Sequence, residues 1–488
     1  MEQSYQKFTL PGADEDLVYI CKERIRFLYG INPPGLVTER FQAELAMMQG
    51  TNHSSVYMLV HHLTKHLHQK GYRTLMRGTF GSAFVSFLLE ITEENPLPAH
   101  YRCPRCKYTQ WMRSAASGYD LPADICPHCG RELYGDGHNI PYETCMGLVP
   151  GAQEPYVEMN LTPGAGATAV RYLVQLLGED RVARACEWNN PVCFMLLPEG
   201  MKFEDVTPIT ELDSPVYGVR KQTVLPGYEL KSVLQKVLLL PLDTFDYVSE
   251  LHHLTNTKPE DICYNDPNVY RLFRELDTLG IPEFSSGVGR EILGRLDEVH
   301  FSEMDEVHFS DLVHISGMVH GTDVWYDNGE NLLAEHPFHE LIGDRNDIFL
   351  TLQKYGVDRE TTYAVAETVR KGKLGICSKE TIRLEKKLCR AGVPQWYIDS
   401  MKRITYLFSK AHLIAFVKLY FSLAWFKCYY PEQFYNVTLR KLKAEELLHY
   451  TNEKLEQIVS AYVNDEDDPP KEVMLLLEAR QRNISVDF

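Results

Sequence analysis

Apolar positions recur at helical spacing over residues 13–70, after an acidic start, through AELAMMQG and SSVYMLVHHLTKHLHQ. The chain is therefore expected to open with helices. The stretch Leu75–Asn95 (LMRGTFGSAFVSFLLEITEEN) reads as a glycine-bearing loop running into an apolar helix. Periodicity is lost over 96–150, where Pro, Gly and two cysteine pairs predict a turn-rich segment. PYVEMNL predicts a short strand, and after a Gly-Ala turn ATAVRYLVQLLGEDRVARAC predicts a helix. Residues 191–245 alternate short apolar runs with turns (VCFMLLPEG, LLLPLD), the pattern of a small sheet. From about 246 onward helical spacing dominates. DEVHFSEM at 297–304 is followed at once by DEVHFSDL at 305–312. Two copies are too few for a solenoid, so the repeat is read as a duplication lengthening one loop. VNDEDDPPK (463–471) reads as an acidic, Pro-broken linker.

Composition narrows the class. A 488-residue chain has length for roughly three domains. With 44% hydrophobic and 24% charged residues, collagen-like, coiled-coil and disordered classes are out. No uninterrupted apolar run reaches the roughly 18–20 residues of a membrane helix. The opening MEQSYQKFTLPGADED has early acids and no apolar stretch, so a signal peptide is not expected. A cytoplasmic location without membrane contact is the expectation. The balance of 50 basic against 67 acidic residues, −17 net, argues against a protein basic all over. Nucleic-acid contact would have to come from local basic patches.

Cys103, Cys106, Cys126 and Cys129 form C-x2-C-x19-C-x2-C, punctuated by Pro and Gly (CPRC, CPHCG). That spacing suits two knuckles presenting four thiolates to a structural zinc. Four cysteines leave no open position for catalytic water, and the alternative is four reduced surface thiols. Arg77, Gly78, Thr79, Phe80, Gly81 and Ser82 form a glycine loop before an apolar helix. N–H groups at a helix start, with hydroxyls and an Arg, suit phosphate. The spacing is not that of a Walker A loop, and a plain helix cap is the alternative. Arg370, Lys371 and Lys373 (VRKGK), then Lys402, Arg403, Lys410 and His412 (MKRITYLFSKAH), are basic clusters interleaved with Tyr406 and Phe408. Such clusters meet phosphates while aromatics stack on bases, or each is a solvated helix face. His320–Trp325 (HGTDVW) reads as a polar turn capping a helix. His61, His62, His252 and His253 lack metal-pairing acids at helical spacing.

Taken together these segments resemble the PolC-type alpha subunit of bacterial DNA polymerase III. The resemblance is nearly collinear and covers most of the chain. It is carried by GSAFVSFLLEITE, EITEENPLPAHYRCPRCKY, LGIPEF, ISGMVHGTDVW, VRKGK and VPQWYIDSMKRITYLFSKAH. It implies an α+β protein: a polymerase-beta-like palm with a zinc module, followed by a large helical fingers region. Palm helices with the glycine loop would occupy 1–95, the zinc module 96–150 and the palm sheet 151–255. Fingers would occupy 256–440 and a helical tail 441–488. The family loop that meets the incoming triphosphate falls on Arg77–Ser82, with Arg77, Gly78, Gly81 and Ser82 matching. The family's basic fingers residues fall on Arg370, Lys371, Lys373, Lys410 and His412.

The catalytic positions depart from the family. Polymerases of this type hold two magnesium ions with three carboxylates. Two of these come from a strand reading P-D-I-D-L-N-F, which here is Pro155-Tyr156-Val157-Glu158-Met159-Asn160-Leu161. The third, from L-L-K-L-D-I-L-G, falls on Leu238. Tyr156 and Leu238 are no ligands for a hard cation, and only Glu158 is a carboxylate. The family thumb is missing between ARACEW and VCFMLLPEG, as is the His-Pro-Gly-Gly element after it. The family's N-terminal exonuclease and phosphoesterase regions and its C-terminal clamp-binding tail are not read in the chain. The expectation is therefore a thumbless palm-and-fingers relative without nucleotidyl transfer. It would need structural zinc but no magnesium, and would bind DNA weakly or join a replication assembly. The rivals are a template-directed DNA polymerase and a protein-interaction scaffold without DNA contact.

Overall fold

The apolar stripes of the first seventy residues fold into three helices, Ala13–Tyr29, Gly35–Met48 and His53–Gln69. In the first, Leu17, Cys21, Ile25 and Leu28 follow helical spacing and are all buried. The computed structural model describes residues 7–78, 80–186, 193–231, 233–299, 307–462 and 468–487. The chain divides into two compact units. One comprises Met1–Asp243 with Ser409–Ala415, the other Thr244–Phe408 with Phe416–Phe488.

Among its described residues the first unit holds ten strands: β1 (Thr74–Met76), β2 (His100–Arg102), β3 (Thr109–Trp111), β4 (Tyr134–Asp136), β5 (Val157–Leu161), β6 (Val182–Arg184), β7 (Cys193–Leu196), β8 (Ile209–Val216), β9 (Val219–Thr223) and β10 (Gln235–Pro241). Seven make one mixed sheet in the order β1-β5-β10-β7-β6-β9-β8, and β3-β2-β4 make a separate three-stranded sheet. The large sheet is broader than the 191–245 pattern predicts, because β1, β5 and β6 join it from earlier in the chain. The alternation of strand side chains divides its faces. Val157, Met159, Leu161, Val237 and Leu239 join the core under helices His53–Gln69 and Ala165–Leu177. Leu238 faces the other way, into a smaller cluster with Cys193, Met195, Leu230 and Leu234.

Two expectations are corrected here. The helix predicted to run to Cys186 stops at Leu177, because Gly178 takes a left-handed φ of 95°. Val182–Arg184 then form β6, pairing antiparallel with β7. The apolar helix after the glycine loop is short, Phe84–Leu88, and is preceded by β1.

The second unit is helical. Its helices include Gly287–Val299, Phe309–His320, Arg345–Lys354, Arg359–Arg370, Lys379–Arg390, Gln395–Arg403, Pro431–Lys441 and Lys471–Gln481. Within the repeat, residues 300–306 lie outside the described residues. The second copy opens a helix rather than filling a loop, since the His308 N–H donates to Asp311 at 2.8 Å and caps Phe309–His320. Residues 463–467 of the acidic linker also lie outside the described residues.

Helix Lys410–Tyr429 is long and apolar enough to cross a membrane by length and composition, although Lys418 divides its apolar run. Its apolar window is 94% buried inside the protein, the setting of a core helix. Near its end the fully buried Lys427 ammonium meets Asp277 at 2.8 Å and Glu478 at 2.9 Å. It also donates to the Asp277 and Leu279 carbonyls at 3.0 Å. A buried ammonium persists only with such a full set of partners.

Candidate functional site

The cysteine module is built by two turns of one design. Lys107 N–H donates to the Cys103 carbonyl, and Gly130 N–H to the Cys126 carbonyl. Each turn closes on a left-handed residue, Lys107 (φ 65°) or Gly130 (φ 68°). The turns bring the Cys103 and Cys129 sulfurs to 3.4 Å and the Cys106 and Cys126 sulfurs to 3.5 Å. All four sulfurs lie within 4.8 Å of one another and can hold a metal ion. A tetrahedron with Zn–S bonds near 2.3 Å has S–S edges of about 3.8 Å, so the set fits that ion. Burial opposes ionisation of Cys103, but the Cys106 and Arg105 N–H groups and the neighbouring thiols outweigh it and bring its pKa down to about 6. A buried polar chain ties the module to the first helix of its unit. Tyr29 Oη meets His100 Nε2 at 3.2 Å and accepts from Asn95 at 2.9 Å.

On the large sheet β5 and β10 run parallel, with Leu238 directly beside Glu158. Tyr156, Glu158 and Leu238 therefore share one face, and the three aligned positions do come together. Their chemistry differs sharply. Tyr156 is exposed, with the Lys236 ammonium 5.9 Å from its ring. Leu238 is buried among apolar side chains. Glu158 pairs with Arg77 at 3.1 Å, and Arg77 N–H donates to the Glu158 carbonyl at 2.9 Å. The face thus offers one carboxylate, already neutralised, and does not fit a pair of magnesium ions.

The glycine loop lies at the end of β1, whose residues pair with β5. Gly78 takes a left-handed φ of 65°, and a Cβ at Gly81 would come within 3.1 Å of the Met76 side chain. Ser82 is buried. Thr79 lies outside the described residues. The helix-start N–H groups of Phe84 and Val85 are taken by the buried carboxylate of Glu44, at 2.9 Å each. Glu44 is itself held by Arg40. Those two donors meet an internal anion. Ser409, which belongs to this unit, donates to the Gly78 carbonyl at 2.7 Å. It brings the loop together with the segment bearing half-buried Lys410 and buried His412.

In the second unit the two basic clusters are joined by backbone. A Cβ on Gly372 (φ 64°) would sit 2.5 Å from the Thr405 carbonyl oxygen, and one on Gly375 would sit 2.4 Å from that of Lys402. Only glycine permits this approach. The turn carrying Lys371 and Lys373 therefore lies against the strand-like segment after Arg403. Thr322 of the HGTDVW turn bridges to Tyr406, and Thr405 donates to Asp323 at 2.7 Å. That turn is thus part of the patch rather than a helix cap. Acids partner most of the cations. Glu367 meets Arg370 at 3.0 Å and Lys371 at 3.4 Å, and Arg345 as well. Lys402 meets Glu385 at 3.0 Å, and Arg403 donates to the Asp327 carbonyl. Burial alone would raise the Glu367 pKa, but its hydrogen bonds from Arg370 and the charges of Arg345 and Lys371 bring it down to about 2.

Glu44 and Glu367 do not stand out in the sequence. Their signals are the spacings Arg40-x3-Glu44 and Glu367-x2-Arg370, which place opposite charges on one helix face. Glu283 of LGIPEF also gains a role, accepting from Ser316 at 2.6 Å and pairing with His320.

Residues 15–191 match the model of the bacterial DNA polymerase III alpha NTPase domain, and residues 242–390 that of the bacterial DNA polymerase III alpha subunit finger domain. The DNA polymerase III PolC-type proteins of Pediococcus pentosaceus and Bacillus subtilis are each 31% identical over 487 residues, covering 87% of this chain and 33% of theirs. That of Thermotoga maritima is 32% identical over 501 residues, covering 89% and 35%. The chain spans about a third of the length of the curated relatives it matches. Matched along both of its units, the chain belongs to the PolC-type bacterial DNA polymerase III alpha family.

Proposed function

We propose that this chain is a non-catalytic PolC-type protein that binds nucleic-acid backbone, alone or within a replication assembly. One observation carries the reading. The three positions aligned with the family's metal carboxylates meet on one face of β5 and β10, yet two carry Tyr156 and Leu238 and the third is engaged by Arg77. A leucine and a neutral phenol cannot neutralise the charge that develops on a transferring phosphoryl group. The first unit would be a polymerase-beta-like palm. Residues 185–192 alone connect β6 to its neighbour β7, too short a link for a thumb. Cys103, Cys106, Cys126 and Cys129 would hold one structural zinc, which organises a module with little core of its own.

The exposed Lys371 and Lys373, with Arg370, Lys402 and Arg403 beside them, form the patch suited to phosphates, and Tyr406 offers an exposed ring. Without enclosure the binding is expected to be micromolar or weaker, insensitive to base sequence and steeply salt-dependent. Magnesium- or manganese-dependent primer extension and duplex-DNA anisotropy separate the readings. No extension together with salt-sensitive binding supports the proposal. Extension above a no-protein control establishes the polymerase instead. Neither activity leaves a protein-interaction scaffold, the reading favoured by the −17 charge and by the acids already paired with the patch.

A further inference from the structure

The fingers patch poses a question of sign. Glu367 puts a negative charge in the middle of a surface proposed to meet phosphates. Bulk electrostatics says that removing it strengthens anion binding. The geometry argues the reverse.

Glu367 is mostly buried, at 12% side-chain exposure, and Arg345 behind it is at 1%. The carboxylate faces Arg345 inward and Arg370 and Lys371 outward, whose side chains are 27% and 50% exposed. Its charge is therefore compensated from behind, and the outward pair keeps its net positive charge. The grip on Arg370 is bidentate: Nε donates to Oε1 at 3.1 Å and Nη2 to Oε2 at 3.0 Å. A guanidinium held along that edge is planar and fixed, with its Nη1 side turned away from the carboxylate. The carboxylate stays ionised well into acid, so the grip persists at any ordinary pH. The Gly372 turn then fixes the backbone carrying Lys371 by packing on Thr405. Arg and Lys side chains otherwise lose rotamer freedom on being ordered at a phosphate, and a pre-formed clamp has met that cost in advance.

We propose that Glu367, backed by Arg345, is a positioning residue that holds Arg370 and Lys371 in place for a phosphate group; this rests on the nucleic-acid reading above. Three full-length proteins test it: the parent, Glu367→Gln, and the charge-balanced Arg345→Met/Glu367→Gln, with thermal melts confirming that each is folded. Labelled duplex DNA is titrated from about 50 to 200 mM salt. Both variants should bind at least about threefold more weakly, with the log K against log salt slope reduced by about 0.9 for each phosphate that is no longer neutralised. Tighter or unchanged binding by either folded variant overturns the proposal and leaves the nucleic-acid reading standing. A parent that binds no DNA at the low-salt end removes both. A second readout needs no DNA: the Arg370 Nε–H resonance, assigned with Arg370→Lys, should exchange slowly with water in the parent and rapidly in both variants. Fast exchange in the parent also overturns the proposal.

Discussion

The cysteine module and the β5–β10 face sit in the same unit, and both bring their aligned residues together, but one presents four thiols and the other a single carboxylate. In the module all four sulfurs converge within 4.8 Å. On the sheet face Glu158 and Leu238 are in register, Tyr156 lies one alternation away, and a single carboxylate remains. The difference has a physical basis. The module's apolar cluster is small, Tyr101, Leu121 and Leu133 with the cysteines, so a metal held by those cysteines would supply much of the folding energy of residues 100–136, and losing a ligand would cost the fold. The sheet is held by Val157, Met159, Val237 and Leu239 on its opposite face and by apolar packing around Leu238 on this one, so its fold does not depend on carboxylates at these positions. An apolar Leu238 even adds to the smaller cluster beside it.

The largest effect should come from breaking the module. One zinc per chain is expected in protein purified without added metal. Cys126→Ser, or chelation, should release a share of the roughly 10–16 kcal/mol that structural zinc supplies to such sites. Hydrogen exchange should then rise steeply over 100–136 and stay unchanged in the second unit. Less than about half an equivalent of zinc in fresh reduced protein would remove the metal from the comparison.

Rebuilding the face comes next. Leu238→Asp with Tyr156→Asp restores three carboxylates in one plane of the sheet. Leu238 is buried, so its loss costs about 2–5 kcal/mol, and the new carboxylate beside Glu158 adds to that. Magnesium at roughly a hundred times its dissociation constant would return about 2.7 kcal/mol. We expect magnesium to raise the melting temperature of this variant and to leave that of the parent unchanged. Equal stabilisation of the parent means that other carboxylates serve, and the contrast between module and face fails.

How much of this was legible in the sequence follows the same division. The C-x2-C pairs lie close in the chain, and knuckle geometry is local, so spacing alone located the site. Opening helices, β5 and the helical second half follow from periodicity, since each buries one stripe. β6 was hidden because Val182–Arg184 continue a helical pattern past Gly178, and only pairing with β7 makes them a strand. The filling of the helix start by Glu44 was hidden too, because it joins residues forty positions apart in the chain. Likewise the union of 370–373 with 402–406 depends on the Gly372 approach to Thr405, a packing that no local pattern encodes. That union makes the second unit a third case, in which paired charges hold the arrangement.

Its acid limb should show this. The Glu367 pKa is about 2 in the folded protein against an ordinary 4.5. A lowered pKa means that folding favours the ionised form, so the stabilisation is complete above about pH 4.5 and is lost as pH falls toward 2. The loss is about 2–3 kcal/mol across that window. Denaturant melts from about pH 6 down to 3 should fall in the parent and fall less in Glu367→Gln. Parallel curves would mean that the three cations do not hold the carboxylate in its ionised form at all.

The smallest effect should be at Glu158, and it is the sharpest test of the face. Its pair with Arg77 is partly exposed, with side chains at 20% and 29%, so water screens much of the attraction. Removing such a pair costs at most about 1 kcal/mol. Arg77 also keeps its backbone bond to the Glu158 carbonyl, which a side-chain change leaves in place. Glu158→Gln should therefore melt within a few degrees of the parent, and primer extension should stand at background in both. A metal-ligating carboxylate behaves otherwise, since losing one charge from a transition state typically costs a hundredfold or more in rate. If the parent extends a primer and Glu158→Gln does not, the face is a working metal site despite Tyr156 and Leu238. The module and the face would then differ in sequence alone, not in what they retain.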